Sequence, residues 1–522
     1  MAGLRVDRTL MPDTPLFNAA ADAAAGPLVV TAGRPRATGG FGLNNSSTLD
    51  GEMLWQPRFG FNYTFDSERQ TQLRGGFGLF QGAAANVWLS NPYSNTGRAL
   101  SIIGCGTQGL PTCPTTGTGI FSANPATQPT ALPGTPPAAN VDFLGENLDQ
   151  PSVWRANLAF EHELPWWGAI FSTELLLTEV EDGIWYQHLN LGAPTATGPD
   201  GRALFWNAGG QNTACWTDAG GTITTGACAG TGAPTTRWQN NAAFANAVIA
   251  LPTSEGNSQN LTFSINRPRQ NDAWSWSLAY SFTEAEEVSP LTSSVANSNW
   301  QAVPVFNANE HAVARSPYLV RDRVIGTLGY RHFFFDGYAT DIGLFYEGRK
   351  GKPYSWIFNN DLNGDGSTND LMYIPRAFGS GEVVFRGGAA EEQAFWNIVN
   401  AQGLNRYAGG VVDRYSDFSP WTNSFDLRIS QELPGFWEGH RSELVLDVLN
   451  VGNLINKEWG RLDEIGFQAQ GAQARSFVNY LGRDAQGRYI YGLQPGGLED
   501  FITRQNRGES QWAAQVTFRY RF

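Results

Sequence analysis

The 522-residue chain is short of charge: Asp, Glu, Lys and Arg together make up only 16% of it, against about a quarter in an ordinary soluble protein. The charge that is present leans acidic, with a formal net charge of −13. This excludes a general nucleic-acid binder, which needs a basic face to neutralise phosphates. No stretch approaches the roughly 18 consecutive apolar residues of a membrane helix, so any crossing of a membrane is left to strands. Histidine is scarce: His162, His188, His311, His332 and His440 are scattered, with no HExxH or paired metal spacing. A GxxxxGK[ST] phosphate loop is also missing, and we expect a protein that is not an enzyme. The start, MAGLRVDRTLMPDTPLF, has neither the charged nor the apolar region of a signal peptide. The four cysteines form two local pairs, Cys105 with Cys113 and Cys215 with Cys228, each in a Gly/Thr/Pro-rich stretch without nearby His or acidic clusters. That spacing predicts two loop disulfides in an oxidising compartment rather than a zinc site.

Aromatics and glycine are plentiful. Phe, Trp and Tyr reach 13%, with 18 Trp, and there are 60 Gly. The final QVTFRYRF places Val516, Phe518, Tyr520 and Phe522 on one side of an extended strand and Gln515, Thr517, Arg519 and Arg521 on the other. The same alternation recurs near 55–65, 71–82, 153–164, 168–186, SQNLTFSIN at 258–266, AWSWSLAYSF at 273–282, 321–334, 338–350, 424–433, 441–451 and 511–522, giving eleven strands. Their connections alternate between short (DSERQ, PWW, PRQND, FDG, PGFWEGH) and long (83–152, 187–256, 285–320, 351–423, 452–510). A soluble sandwich has no reason to place every long loop at one end, whereas an outer-membrane barrel does. Trp166, Trp167, Phe333, Phe334, Phe335, Phe436 and Trp437 crowd the short turns, where an interfacial girdle belongs. The fold class is therefore all-β, an antiparallel transmembrane β-barrel. Eleven strands start and finish on opposite sides, while a complete bacterial barrel has an even number. At least one upstream strand is expected, unless LVVTAG at 28–33 supplies it. Residues 1–54 are expected to be irregular, an extracellular loop of a larger barrel, and 55–522 to be the barrel portion. The glycines Gly75, Gly76 and Gly78 read as relief of crowding on a curved strand.

PRFGFNYTF, LRGGFGLFQG, WLSNPYSNTG at 88–97, DLNGDGSTNDLMYIPR at 361–376, LDVLNVGNLIN at 446–456 and the final aromatic strand resemble, in that order, the Oar-like TonB-dependent outer-membrane receptors. The resemblance spans about 55 to 522. It implies a parent with an N-terminal carboxypeptidase-regulatory-like domain, a plug in the lumen and a 22-stranded barrel, of which eleven strands are half. It also implies an outer-membrane receptor for uptake of a large solute in a Gram-negative bacterium. The implied partners are outer-membrane lipid, an unknown extracellular substrate, the plug, the TonB complex that pulls on it, and the barrel-assembly machinery, for which Tyr520 and Phe522 carry the signal. No plug or TonB-contacting box precedes residue 55. Two other readings stay open: an adhesin or structural barrel binding through its loops, and an open porin-like pore.

Candidate sites divide by face. Arg58, Asn62, Arg155, Asn157, Glu161, Asp426, Arg428, Glu432, Arg519 and Arg521 are expected to line the lumen, and Leu261, Phe263, Ile265, Trp274, Trp276, Leu278 and Tyr280 to face lipid. In the loops Trp88, Tyr93, Trp206, Trp216, Trp238 and Trp300 are available either to stack on a carbohydrate, peptide or chelate or to form loop cores. Asp361, Asn363 and Asp365 followed by Gly366 reproduce the first half of an EF-type calcium loop, with Asp370 as a further ligand. Met372 stands at the twelfth position, where a bidentate Glu is required, so calcium competes with an ordinary acidic loop tip. No other cofactor is expected.

Overall fold

The computed structural model describes residues 1–31, 34–82, 84, 86–98, 124–127, 138–216, 240–270, 273–335, 337–465 and 473–522. Its backbone is a sheet in which twelve strands form an antiparallel wall, each pairing with the next, while Phe244–Thr253 pairs with the end of Ile170–His188 and, in parallel, with Ala139–Leu144, and Ala314–Arg315 adds to Trp274–Glu287. The wall strands are Ala2–Arg8 (β1), Met53–Thr64 (β2), Thr71–Gln81 (β3), Ser152–Glu163 (β4), Ile170–His188 (β5), Gly256–Arg267 (β6), Trp274–Glu287 (β7), Asp322–Phe335 (β8), Tyr338–Arg349 (β9), Thr422–Pro434 (β10), Arg441–Leu449 (β11) and Ala513–Arg521 (β12). All eleven expected strands are there, and a twelfth precedes them.

That twelfth strand corrects two expectations. Residues 1–54 are not wholly irregular, since Ala2–Arg8 pairs with Met53–Phe59. Residues 28–31 do not belong to the wall, because Ala25–Thr31 pairs only with Arg34–Gly39. The upstream strand is a segment whose only large apolar residues, Leu4 and Val6, alternate with Arg5 and Asp7. Twelve strands still do not close. Ala2–Arg8 and Ala513–Arg521 each have one neighbour, and the wall keeps two open edges.

Two-residue periodicity sorts the side chains onto two faces. Across β6 and β7, Leu261 lies opposite Phe282, Phe263 opposite Tyr280 and Ile265 opposite Leu278. The row continues into β8, with Trp276 opposite Leu328 and Trp274 opposite Tyr330. Phe263, Trp274, Leu278 and Tyr280 are 37–51% exposed, although nothing in water favours presenting such side chains. At the short-turn end Trp166, Trp167, Phe333, Phe334, Phe335, Phe436 and Trp437 are also exposed. The close approach of strands explains the glycines of β3: a Cβ on Gly76 would sit 2.6 Å from the Phe59 carbonyl oxygen, and one on Gly78 2.8 Å from that of Pro57.

The largest hydrophobic core is not in the wall. It is assembled by the long loops, which bury Trp206, Trp356, Phe358, Phe395, Phe477, Tyr480, Tyr489 and Tyr491 together. The helix Gly388–Ala401 (α1) joins this cap by turning Phe395, Trp396 and Val399 inward. Glu391 in its first turn accepts from the Gly387 amide (2.6 Å) and the Leu493 amide (2.8 Å), tying the helix start to another loop. Each large side chain buried here contributes about 1.5–3 kcal/mol.

Candidate functional site: the polar face and the loop cap

The polar face of the wall is studded with cross-strand ion pairs. Arg74 reaches Glu161 at 2.9 Å, Arg331 reaches Asp341 at 2.6 Å, Arg323 reaches Glu347 at 2.7 Å, and Arg428 reaches Asp447 at 3.3 Å. Glu443 serves both Arg519 (3.5 Å) and Arg521 (3.9 Å), and Glu432 serves Arg441 (3.5 Å). Exposed pairs of this kind contribute at most about 1 kcal/mol each; what they establish is a polar face of near-balanced charge. Asn157 donates to Glu174 (3.1 Å), Asn62 accepts from Gln72 (2.7 Å), and Asp426 accepts from the Asn450 amide (2.7 Å) where the chain leaves β11. Arg58 stacks on Phe80 at 4.3 Å instead of meeting a carboxylate. Arg155 is exposed and carries no ion pair among the described residues.

Three of the loop aromatics are buried in the loops. Trp206, Trp216 and Trp300 are 1%, 5% and 6% exposed, so none of them presents a ring to a solute. Each indole N–H is satisfied internally, by Leu362 O (2.8 Å), Gly210 O (3.0 Å) and Asn309 Oδ1 (2.9 Å). Trp88 donates to Ser293 O (2.9 Å) and the Tyr93 hydroxyl to Asp13 O, which pins neighbouring loops to one another. Trp238 lies outside the described residues, as do Cys105, Cys113 and Cys228. Cys215 is buried and disulfide-bonded.

The loop at 361–370 winds tightly around its own side chains. Asp361 accepts from the amides of Gly364 (2.6 Å) and Gly366 (2.8 Å), Asn363 from that of Asp365 (2.7 Å), and Asp365 from that of Ser367 (2.8 Å). Among the described residues no group of three or more His, Cys, Asp or Glu side chains has the geometry to hold a metal ion. The positive charge beside Asp370 belongs to Arg202, at 3.1 Å. Arg202 also meets Asp200 at 2.8 Å and donates to Leu371 O at 2.5 Å, and the Tyr489 hydroxyl donates to Asp200 at 2.8 Å. Three loops thus share one fully buried charge cluster. Burial raises the Asp370 carboxyl to about 6 even with Arg202 opposing the shift. Asp361 is pushed well up by burial and by the charges of Asp365 and Asp370. Within PDGRALFW only Asp200 is a local partner; Asp370 and Leu371, which make Arg202 the centre of the cluster, come from positions far away in the chain.

Among the described residues no helix is long and apolar enough to cross a membrane. The exposed apolar row, the aromatic short turns and the paired polar face instead describe a wall that crosses by strands. The family model for the outer membrane beta barrel domain matches residues 12–458. The chain belongs to this family of outer-membrane β-barrels. Its location is accordingly the outer membrane. No curated protein matches the chain. Among solved structures it is similar to the outer membrane transporter YddB of Escherichia coli, with 10% identity, a TM-score of 0.40, and coverage of 90% of this chain and 41% of that one. A mutant of the ferric enterobactin receptor PfeA of Pseudomonas aeruginosa gives 11% identity, a TM-score of 0.35, and coverage of 90% and 39%. The barrel chain therefore spans about two fifths of the length of either structure.

Proposed function

We propose that this outer-membrane barrel works as a receptor of the TonB-dependent kind, taking up a large solute, with a lumenal plug and the TonB complex as the partners the role requires. The observation that carries the reading is the cap. The long loops fold around an aromatic core of their own above a charge-balanced wall, which is the arrangement expected when loops must present a shaped surface to one solute. An open pore needs only a charged constriction. A folded cap also suits an adhesin, so the experiment must separate binding from energised uptake.

Cells expressing the full-length protein would be given radiolabelled peptides, oligosaccharides and metal chelates, with and without a protonophore that collapses the inner-membrane gradient. The receptor reading expects surface binding that survives the protonophore and uptake that does not. Uptake indifferent to the gradient, together with steady conductance in planar bilayers, would establish a pore. Adhesion of cells or matrix without uptake of any solute would establish the adhesin.

A further inference from the structure

Behind the long-loop end of β7 lies an open cavity of about 510 Å³, within the range of small-ligand sites. Leu371, Val411 and Val412 form an apolar part of its lining, and Tyr407 contributes a phenol. The charged lining is unusual in one respect. Arg414 is only 8% exposed, yet it forms no ion pair among the described residues. Its guanidinium donates to two carbonyl oxygens, Ala312 O at 2.6 Å and Glu287 O at 3.1 Å. Its Nε is buried with no hydrogen-bond partner, and so is the Ser416 hydroxyl, which lines the same cavity. A guanidinium buried without a carboxylate is costly, and two orphaned polar groups in residues of one cavity wall add to that cost.

The other charges facing the cavity complete the pattern. Glu286, Glu310 and Asp413 line it, with Arg315 as the second cation. Arg315 is already engaged by Glu284 at 2.7 Å. Glu310 accepts from the amides of Phe306 (2.8 Å) and Asn307 (3.0 Å), and Asp413 accepts from the Tyr407 hydroxyl (3.2 Å). Glu287 is held by the Ser316 hydroxyl at 2.5 Å and does not reach Arg414 as an ion pair. One unsatisfied donor pair, a surplus of carboxylates and an aliphatic wall therefore share one cavity.

We propose that this cavity binds a small zwitterion of the amino-acid or short-peptide class. The ligand carboxylate is received by Arg414 and Ser416, its ammonium by the Glu286, Glu310 and Asp413 carboxylates, and an aliphatic side chain by Leu371, Val411 and Val412. A simple anion would meet the surplus of carboxylates, and a simple cation would leave Arg414 unsatisfied. The site deepens the receptor reading by naming a solute class, but its test does not depend on transport.

Isothermal titration of the purified, detergent-solubilised full-length protein with dipeptides carrying one branched aliphatic residue supplies the measurement. The free dipeptide is expected to bind; amidation of its C-terminus should weaken binding about tenfold or more, the loss expected for one charge-assisted hydrogen bond. Arg414→Gln should produce a similar loss with the free dipeptide and almost none with the amide, because both changes remove the same contact. Ser416→Ala, which leaves the guanidinium and its carbonyl partners in place, should weaken only the free dipeptide and guards against misfolding of the first variant. Equal affinity of free and amidated dipeptides, or no binding up to millimolar concentration, would overturn the assignment. Binding with the expected variant pattern but without uptake by cells would keep the site and remove the transport reading.

Discussion

Replacing Arg202 by Met should unfold the cap while leaving the wall intact. Arg202, Asp200 and Asp370 have side chains with 0% exposure, so the variant leaves two carboxylates in a space that excludes water. Removing one partner from a buried charge cluster costs about 3–5 kcal/mol. The lost packing adds little, because Met fills much of the volume against the Phe306 and Phe358 rings, which the guanidinium approaches at 5.2 and 5.8 Å. Every partner of Arg202 lies in a loop: Asp200, Asp370, Leu371, Phe306 and Phe358. The damage should therefore stay within the loops. Limited chymotrypsin digestion of intact cells would read the cap, whose buried aromatics become cleavable, and heat-modifiable migration in gels would read the wall. We expect rapid cleavage of Arg202→Met with unchanged heat modifiability. Adding Asp200→Asn and Asp370→Asn to that variant should restore most of the resistance, since neutral amides tolerate burial better than unpaired charges. Wild-type resistance in the single variant, or simultaneous loss of wall and cap, would refute the argument that the loops form an autonomous core held by this cluster.

Leu278→Arg places a charge on the membrane-facing row and should cost about 2–4 kcal/mol, whereas Ser277→Arg on the polar face should cost far less; equal losses in detergent-refolding titrations would reverse the assignment of faces. Asp142 is 2% exposed and burial raises its carboxyl to about 7, opposed only by a hydrogen bond from Asn95. Between about pH 4 and 7 the folded state keeps a proton that the unfolded chain has released, so stability should fall as pH rises through that window. Asp142→Asn should flatten the pH profile of melting and stabilise the protein by at most about 4 kcal/mol at pH 8; parallel wild-type and variant profiles would contradict this. Deletion of Phe522, whose ring is 97% exposed, should leave melting of the refolded barrel unchanged yet lower the amount found in the outer membrane; normal membrane levels would show that the ring carries no assembly signal.

Strand periodicity is a local property, and it was legible wherever a strand held three or more apolar residues on one face. SQNLTFSIN and AWSWSLAYSF told both their conformation and their orientation, because a face that alternates over ten residues has only one way to meet an apolar medium. Leu4 and Val6 were too few to do so, and β1 became visible only through its partner, Met53–Phe59. The order of the wall was legible too, since short turns force neighbouring strands to pair. Loop residues carry no such period. Whether Trp206 and Trp300 would stack on a solute or support a core depended on Leu362 and Asn309, whose positions depend in turn on the whole cap. The spacing of DLNGDG is local and could be read directly, whereas the Arg202 charge that meets Asp370 comes from another loop, 168 positions away. Arg414 gave no sign at all: a lone arginine in a polar stretch is ordinary, and only tertiary packing withdrew it from water without a carboxylate. The strands and their faces follow from side-chain alternation along the chain, whereas the cap, its buried charges and its cavity were decided by contacts between segments that no local pattern connects.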